Sequence, residues 1–97
     1  MGAQATSIGQ KLIGDIQKIK ATAHGVRLAE MTTTTAREQI IPADELAGVR
    51  HAVDAKSGEL RAVQNHHAQD AVEWLNATRH FLCVQERTQA TLLRRAA

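Results

Sequence analysis

The stretch Ile40-Ile41-Pro42-Ala43-Asp44-Glu45-Leu46 lies between two long segments whose apolar residues have helical spacing. It holds the one proline of the sequence, and a proline ring pushes the preceding residue toward an extended backbone. Pro42 fits the first turn of a helix, where the missing N–H costs least, and the two acids after it complement the helix dipole. The pattern predicts a turn followed by a helix that begins at 42–43.

The segment before this turn predicts a first helix over about residues 6–34. Apolar or small side chains recur there every three or four residues, at Ala5, Ile8, Leu12, Ile16, Ile19, Ala23 and Val26. Thr6 or Ser7 is the expected N-cap. The four threonines at 32–35 are β-branched, and their hydroxyls compete for backbone hydrogen bonds. We therefore expect the first helix to fray there and a turn to occupy 35–41.

The segment after the turn predicts a second, longer helix over about 42–95. Its apolar line again alternates threes and fours, at Leu46, Val49, Val53, Leu60, Val63, His67, Ala71, Trp74, Thr78 and Leu82. A glycine costs about 1 kcal/mol relative to alanine in a helix interior, so Ser57-Gly58 leaves open a kink, or a break that gives a three-helix arrangement. The predicted fold class is all-α, an antiparallel helical hairpin forming a single helical domain over 1–97.

Composition excludes several classes of protein. Aromatic residues make up 2% of the 97 residues, which favours helix-on-helix packing over a β-sandwich, and the single Cys83 excludes an internal disulfide. The net charge is +2 and only Arg94 and Arg95 are adjacent basic residues, which argues against nucleic-acid binding. We expect a soluble protein without a membrane span or a standard signal peptide.

Motifs that carry chemistry are sparse, so we predict no catalytic, cofactor-binding or metal-binding residues and no small-molecule substrate. His66, Asp70 and Glu73 share a helix face, but no complementary ligand pattern accompanies them. The glycines are scattered singly and form no phosphate-binding loop. Gly2 fits the N-myristoylation pattern, which leaves that modification open.

The unequal lengths of the two predicted helices indicate an interaction surface. At 1.5 Å per residue the first helix is roughly 45 Å long and the second up to roughly 80 Å. The second helix should extend beyond the first over roughly 72–95, and exposed apolar patches of that extent mark interaction sites. We predict a protein partner or self-association through these side chains: Trp74, Leu75, Phe81, Leu82, Leu92 and Leu93.

The segment from Thr35 to Glu45, with two aliphatic residues followed by Pro42-Ala43-Asp44-Glu45, resembles the middle of PE-family domains. These belong to the small helical-hairpin substrates of type VII (ESX) secretion, and the resemblance implies pairing with a helical partner. The family's N-terminal Pro-Glu pair, a Trp-x-Gly turn and a tyrosine-based export signal are not found in this sequence. The needle and inner-rod subunits of type III secretion are similar in size and shape.

Together these patterns predict a non-enzymatic helical interaction or assembly protein. It would be a secretion-system substrate or a structural subunit of a larger assembly, exported by a specialised secretion system or built into a particle. The alternative is a small DNA-binding or regulatory adaptor protein, whose affinity would fall steeply with salt.

Overall fold

A computed structural model describes residues 7–96, which form four α-helices: α1 (Ile8–Lys18), α2 (Ala23–Glu38), α3 (Ala43–Arg61) and α4 (His66–Ala96). No strand occurs among these residues. The predicted all-α class is confirmed. The predicted hairpin of two long helices is wrong in its details, because each of its arms consists of two helices separated by a short turn. Gly2 and Thr6 lie outside the described residues.

The first unpredicted break separates α1 from α2 over residues 19–22. Ile19 leaves the helical conformation at the end of α1, with ψ at 125°. The Thr22 side chain then caps α2 by accepting a 3.1 Å hydrogen bond from the backbone N–H of Gly25. The apolar spacing runs through this turn without interruption, and Ile19 is buried within it. Periodicity alone therefore could not reveal the break.

The threonine tract lies inside α2 and does not end the first arm as predicted. Each threonine hydroxyl of the tract donates a hydrogen bond of 2.9–3.0 Å to the backbone carbonyl four residues earlier. The four residues are Thr32, Thr33, Thr34 and Thr35. The hydroxyls thus find acceptors within the helix rather than drawing the backbone out of it. The helix continues to Glu38, and the turn occupies 39–42 rather than 35–41.

The second arm breaks at residues 62–65, not at Ser57-Gly58. Both Ser57 and Gly58 are helical residues of α3. α3 ends at Arg61. The side chain of Asn65 accepts a 2.8 Å hydrogen bond from the N–H of Ala68 and so caps the start of α4. The predicted start at 42–43 is confirmed, since α3 begins at Ala43 with Pro42 as its N-cap.

The helices pack so that α4 contacts α2 on one side and α3 on the other, while α1 contacts α2 and α3. In the hydrogen-bonded pairs between α2 and α4, a later residue of α2 bonds to a later residue of α4, so the two helices run parallel. The paired residues of α3 and α4 advance in opposite directions, as in Arg50 with Glu86 and Arg61 with Asn76. One cluster of buried residues from all four helices forms the core, built chiefly from leucine, isoleucine, valine and alanine.

Candidate docking surface of α4

The six residues predicted to form an interaction surface divide into buried and exposed groups. Leu75 and Leu82 are 0% exposed and belong to the core, so the prediction that they lie on an uncovered surface is wrong. Phe81 is partly buried. The side chains that do face solvent are Trp74, 39% exposed, Leu92, 57% exposed, and Leu93, 68% exposed.

Leu75 and Leu82 are buried because α2 and α3 flank α4 over most of its length. Side-chain hydrogen bonds from α4 to the turn between α2 and α3 reach as far along the helix as Gln89. Every residue from 90 to 96 is exposed. The uncovered part of α4 is therefore its last two turns, which is much shorter than the predicted overhang over 72–95.

Leu93 continues the buried line of α4 past the point where the chain covers it. It follows Leu75 by 18 residues, which is five full turns at 3.6 residues per turn, and it follows Leu82 by 11, close to three turns. The three leucines therefore share one face of the helix. Burying a leucine side chain is worth about 1.5–3 kcal/mol, so the exposure of Leu93 leaves a core-type residue without its packing partners.

Leu92 points in a different direction and shares a face with Trp74, 18 residues earlier, and with Phe81. On this side α2 lies close to α4, and the hydroxyl of Thr33 is 2.7 Å from the carbonyl oxygen of Trp74. The guanidinium of Arg37 lies 5.7 Å from the centre of the Phe81 ring, a cation–π geometry that covers part of the ring. Gln85 and Thr88 lie between Phe81 and Leu92 on this side of α4, so its apolar side chains are separate rather than continuous.

A groove of about 470 Å³ lies between the first half of α3 and the last turns of α4. Its apolar walls consist mostly of small side chains, which leave the helix backbones accessible to a bulky group. The apolar lining residues are Ala43, Leu46, Ala47, Ala90 and Leu93, and the polar ones are Arg50, His51, Asp54, Glu86 and Gln89. The groove is a shape that an aliphatic side chain or a helix edge can enter.

Two ion pairs link α3 to α4 beside this groove. The Arg50 guanidinium lies 3.3 Å from the Glu86 carboxylate, and that of Arg79 lies 2.6 Å from the Asp54 carboxylate. All four side chains are between about one third and one half exposed, where an ion pair contributes little to stability.

No group of three His, Cys, Asp or Glu side chains in residues 7–96 is arranged to hold a metal ion. His66 and Glu73, which share a predicted helix face with Asp70, are exposed. Cys83 is a partly buried free thiol. No helix in the described part of the chain is both long enough and apolar enough to cross a membrane.

Sequence reasoning missed the residues of α3 that form the groove, because alanine is common throughout helices and does not by itself indicate a binding surface. Ala43 and Ala47 are four residues apart and therefore adjacent on one face of α3. Their pairing with Ala90 depends on the register between α3 and α4, which arises only once the chain turns at 62–65. The available signal was the pair of exposed alanines beside the buried line of Leu46, Val49 and Val53 on α3.

No family model matches this chain, and neither the curated proteins nor the solved structures contain a match to it.

Proposed function

We propose that this protein is a non-enzymatic helical interaction protein whose α4 docks against another protein molecule. The observation that carries this proposal is the exposure of Leu92 and Leu93, 57% and 68%, in the last turns of α4. Large apolar side chains left exposed on neighbouring residues favour an interaction site. Trp74 adds a large aromatic side chain, of the type enriched among residues that dominate binding energy.

The resemblance to PE-family domains gives this function a setting. We propose that the protein is a secretion-system substrate or a structural subunit of a larger assembly. The Pro42-Ala43-Asp44-Glu45 motif that carries the resemblance begins α3, so it lies beside the groove rather than in a free loop. Pairing with a helical partner through α4 is consistent with the partner that the resemblance implies.

The alternative of a DNA-binding or regulatory adaptor protein has less support from the positions of the basic residues. Arg50, Lys56 and Arg79 each lie within 3.3 Å of a carboxylate of the same chain. Binding to a phosphate backbone requires cations that are free to replace counterions. The other basic residues are exposed but dispersed along the chain, and only Arg94 and Arg95 are adjacent in the sequence, so a continuous basic face is not evident.

The proposed function is tested by measuring molar mass in solution with light scattering, for the chain alone and mixed with each protein encoded beside it. We expect at least one of these samples to contain a species heavier than either separate component, of which this chain contributes 10.6 kDa. The Trp74→Glu and Leu92→Glu variants should lose that association while keeping their helical circular dichroism, because a charge in a desolvated contact is costly.

Gln69→Glu is the matched control, since it introduces the same charge at an exposed polar position of α4. It should associate as the wild type does. A chain that remains at 10.6 kDa alone and in every mixture would remove the proposal.

A further inference from the structure

We propose that the last turns of α4 bind an acidic segment of a different protein. Carboxylates of that segment pair with the arginines that surround Thr91, and an aliphatic side chain of the same segment packs on Leu92. The inference rests on the proposed function and names the chemistry of its partner.

The first support is the arrangement of Arg87, Arg94 and Arg95 around Thr91. In the sequence only Arg94 and Arg95 are neighbours, but Arg87 lies four residues before Thr91, and the other two lie three and four residues after it. Residues at these spacings are adjacent on a helix surface, with Cβ atoms about 5–6 Å apart. All four residues are exposed. One anionic group above Thr91 is therefore within reach of all three guanidinium groups.

The second support is that the chain does not neutralise these arginines. Residues 87–96 contain no Asp or Glu, and the ion pairs formed within residues 7–96 do not include Arg87, Arg94 or Arg95. Arg94 and Arg95 lie in the last turn of α4, where they also complement the helix dipole. Arg87 lies two turns earlier, beyond the range of that effect, so the dipole does not explain its position.

Position 91 is the place where a helix would carry a neutralising acid. A glutamate there would have the spacing to pair with all three arginines. The residue is instead Thr91, whose hydroxyl donates a 3.0 Å hydrogen bond to the backbone carbonyl of Arg87. A carboxylate from another protein can therefore occupy the space above Thr91.

The acidic residues of the neighbouring helix ends do not offset this charge. Glu86 is already ion-paired with Arg50, at 3.3 Å. Asp44 lies about 120° around α3 from Arg50, on a different side from the one that contacts α4. Glu38 follows Arg37 at the end of α2, so those two residues add no net charge. The last turns of α4 thus carry an excess of positive charge, which an acidic partner complements.

Leu92 favours a protein segment over a membrane surface or a duplex. It is 57% exposed and lies three residues before Arg95, so an apolar contact adjoins the charged one. A bilayer surface requires a wide apolar face, whereas Gln85 and Thr88 separate Leu92 from Phe81. A duplex requires a continuous positive face, and the three arginines span only about 12 Å of the helix axis. A peptide that carries both carboxylates and aliphatic side chains matches both features.

Fluorescence anisotropy with labelled synthetic peptides is the first measurement. The probe is an amphipathic helical peptide of leucine and glutamate. One comparison peptide has lysine in place of every glutamate, and a second has serine in place of every leucine. We expect the full chain to bind the probe at least about tenfold more tightly than either comparison peptide, and less tightly as the salt concentration rises.

Paired charge reversals locate the binding site. Arg87→Glu combined with Arg94→Glu should weaken binding of the probe by about tenfold in Kd, since two attractive contacts become repulsive. Lys20→Glu combined with Arg27→Glu is the matched control, because it makes the same change of charge at exposed positions. These positions lie near the start of α2, far from the last turns of α4, since the two helices run parallel. Circular dichroism verifies that both variants remain helical.

Equal weakening by the two pairs of substitutions overturns the proposal, because net charge alone would then explain the binding. Failure to bind the probe overturns it too, as does equally tight binding of either comparison peptide. Tighter binding to phosphatidylserine vesicles or to duplex DNA would identify a different class of partner and also overturns it.

Light scattering separates this inference from the proposed function. If the chain associates with a neighbouring protein and the substitutions at Arg87 and Arg94 leave that association unchanged, the proposed function stands and only the acidic partner fails. If the chain associates with neither the probe nor any protein, both fail.

Discussion

The side-chain amide of Gln85 binds the backbone of Ile41, and its Oε1 accepts a 2.9 Å hydrogen bond from the N–H of that residue. The Nε2 of the same amide donates to the carbonyls of Ala36 and Gln39 over 2.7 and 2.8 Å. Gln89 adds a 2.7 Å bond to the carbonyl of Ile41. These glutamines interrupt the apolar line of α4 because they satisfy the peptide groups of the turn between α2 and α3.

Replacing Gln85 by leucine should lower the free energy of unfolding by about 2–3 kcal/mol, because it leaves the partly buried N–H of Ile41 and the carbonyl of Ala36 without partners. The measurement is urea unfolding followed by circular dichroism. Gln69→Leu, at an exposed position of the same helix, should change stability by less than about 0.5 kcal/mol. Equal effects of the two substitutions would show that the amide of Gln85 does not hold the turn.

Two glycines should respond to alanine substitution with opposite signs. A Cβ at Gly25 would overlap the backbone of Lys20, whose amide nitrogen would be 2.7 Å away, so Gly25→Ala should cost at least about 2 kcal/mol. A Cβ at Gly58 meets no atom within 4 Å, and alanine there should raise stability by about 0.5–1 kcal/mol. Thermal and urea unfolding of both variants measure the difference. A destabilised Gly58→Ala variant would argue against a continuous helix through that residue.

The buried hydroxyls of Thr33 and Thr78 should behave as a coupled pair. Their oxygens are 2.7 Å apart, and each also lies within reach of the carbonyl of Trp74. Thr33→Val and Thr78→Val should each cost about 1 kcal/mol, and the double variant less than the sum, because their mutual bond is lost once. A double-mutant cycle in urea measures the coupling, with the exposed Thr34→Val as control. Strict additivity would contradict the hydrogen bond between them.

The carboxylate of Glu45 should stabilise the start of α1 from a distance of 36 residues in the chain. Its Oε2 accepts a 3.0 Å hydrogen bond from the N–H of Gly9, in the first turn of α1. Glu45→Gln keeps an acceptor but removes the charge, so it should cost about 0.5–1 kcal/mol at low ionic strength and less in 1 M salt. Asp44→Asn should lower the free energy of unfolding by less, because Asp44 is exposed and lies in the first turn of α3. Urea unfolding at two salt concentrations separates these cases.

Local chemistry predicted those features of the fold that depend on neighbouring residues. Pro42 with the two acids after it predicted where α3 begins, and Ser7 was among the expected caps of α1. The two breaks were missed because the apolar residues keep a spacing of threes and fours across both turns. Ile19 is buried inside the first turn and Val63 is partly buried inside the second, so each contributes to the core without being helical.

The candidate site was predicted only in part, since exposure depends on which helices lie beside α4. The sequence predicted that Leu75, Leu82 and Leu93 all belong to an uncovered surface, because it does not show which helices lie beside each of them. The structure covers the first two with α2 and α3 and leaves Leu93 exposed. The groove joins residues about 40 positions apart and has no signature along the chain.

By itself the sequence determined that this chain is helical, that a helix begins after Pro42, and that the apolar faces must be buried against other helices. These follow from backbone geometry and periodicity, which act over three or four residues. Only the tertiary structure decided where the arms break, why Gln85 and Gln89 stand in an apolar line, and which leucine remains uncovered. Those outcomes depend on the register between distant helices, because a polar group or a leucine is satisfied only by the atoms that packing brings against it.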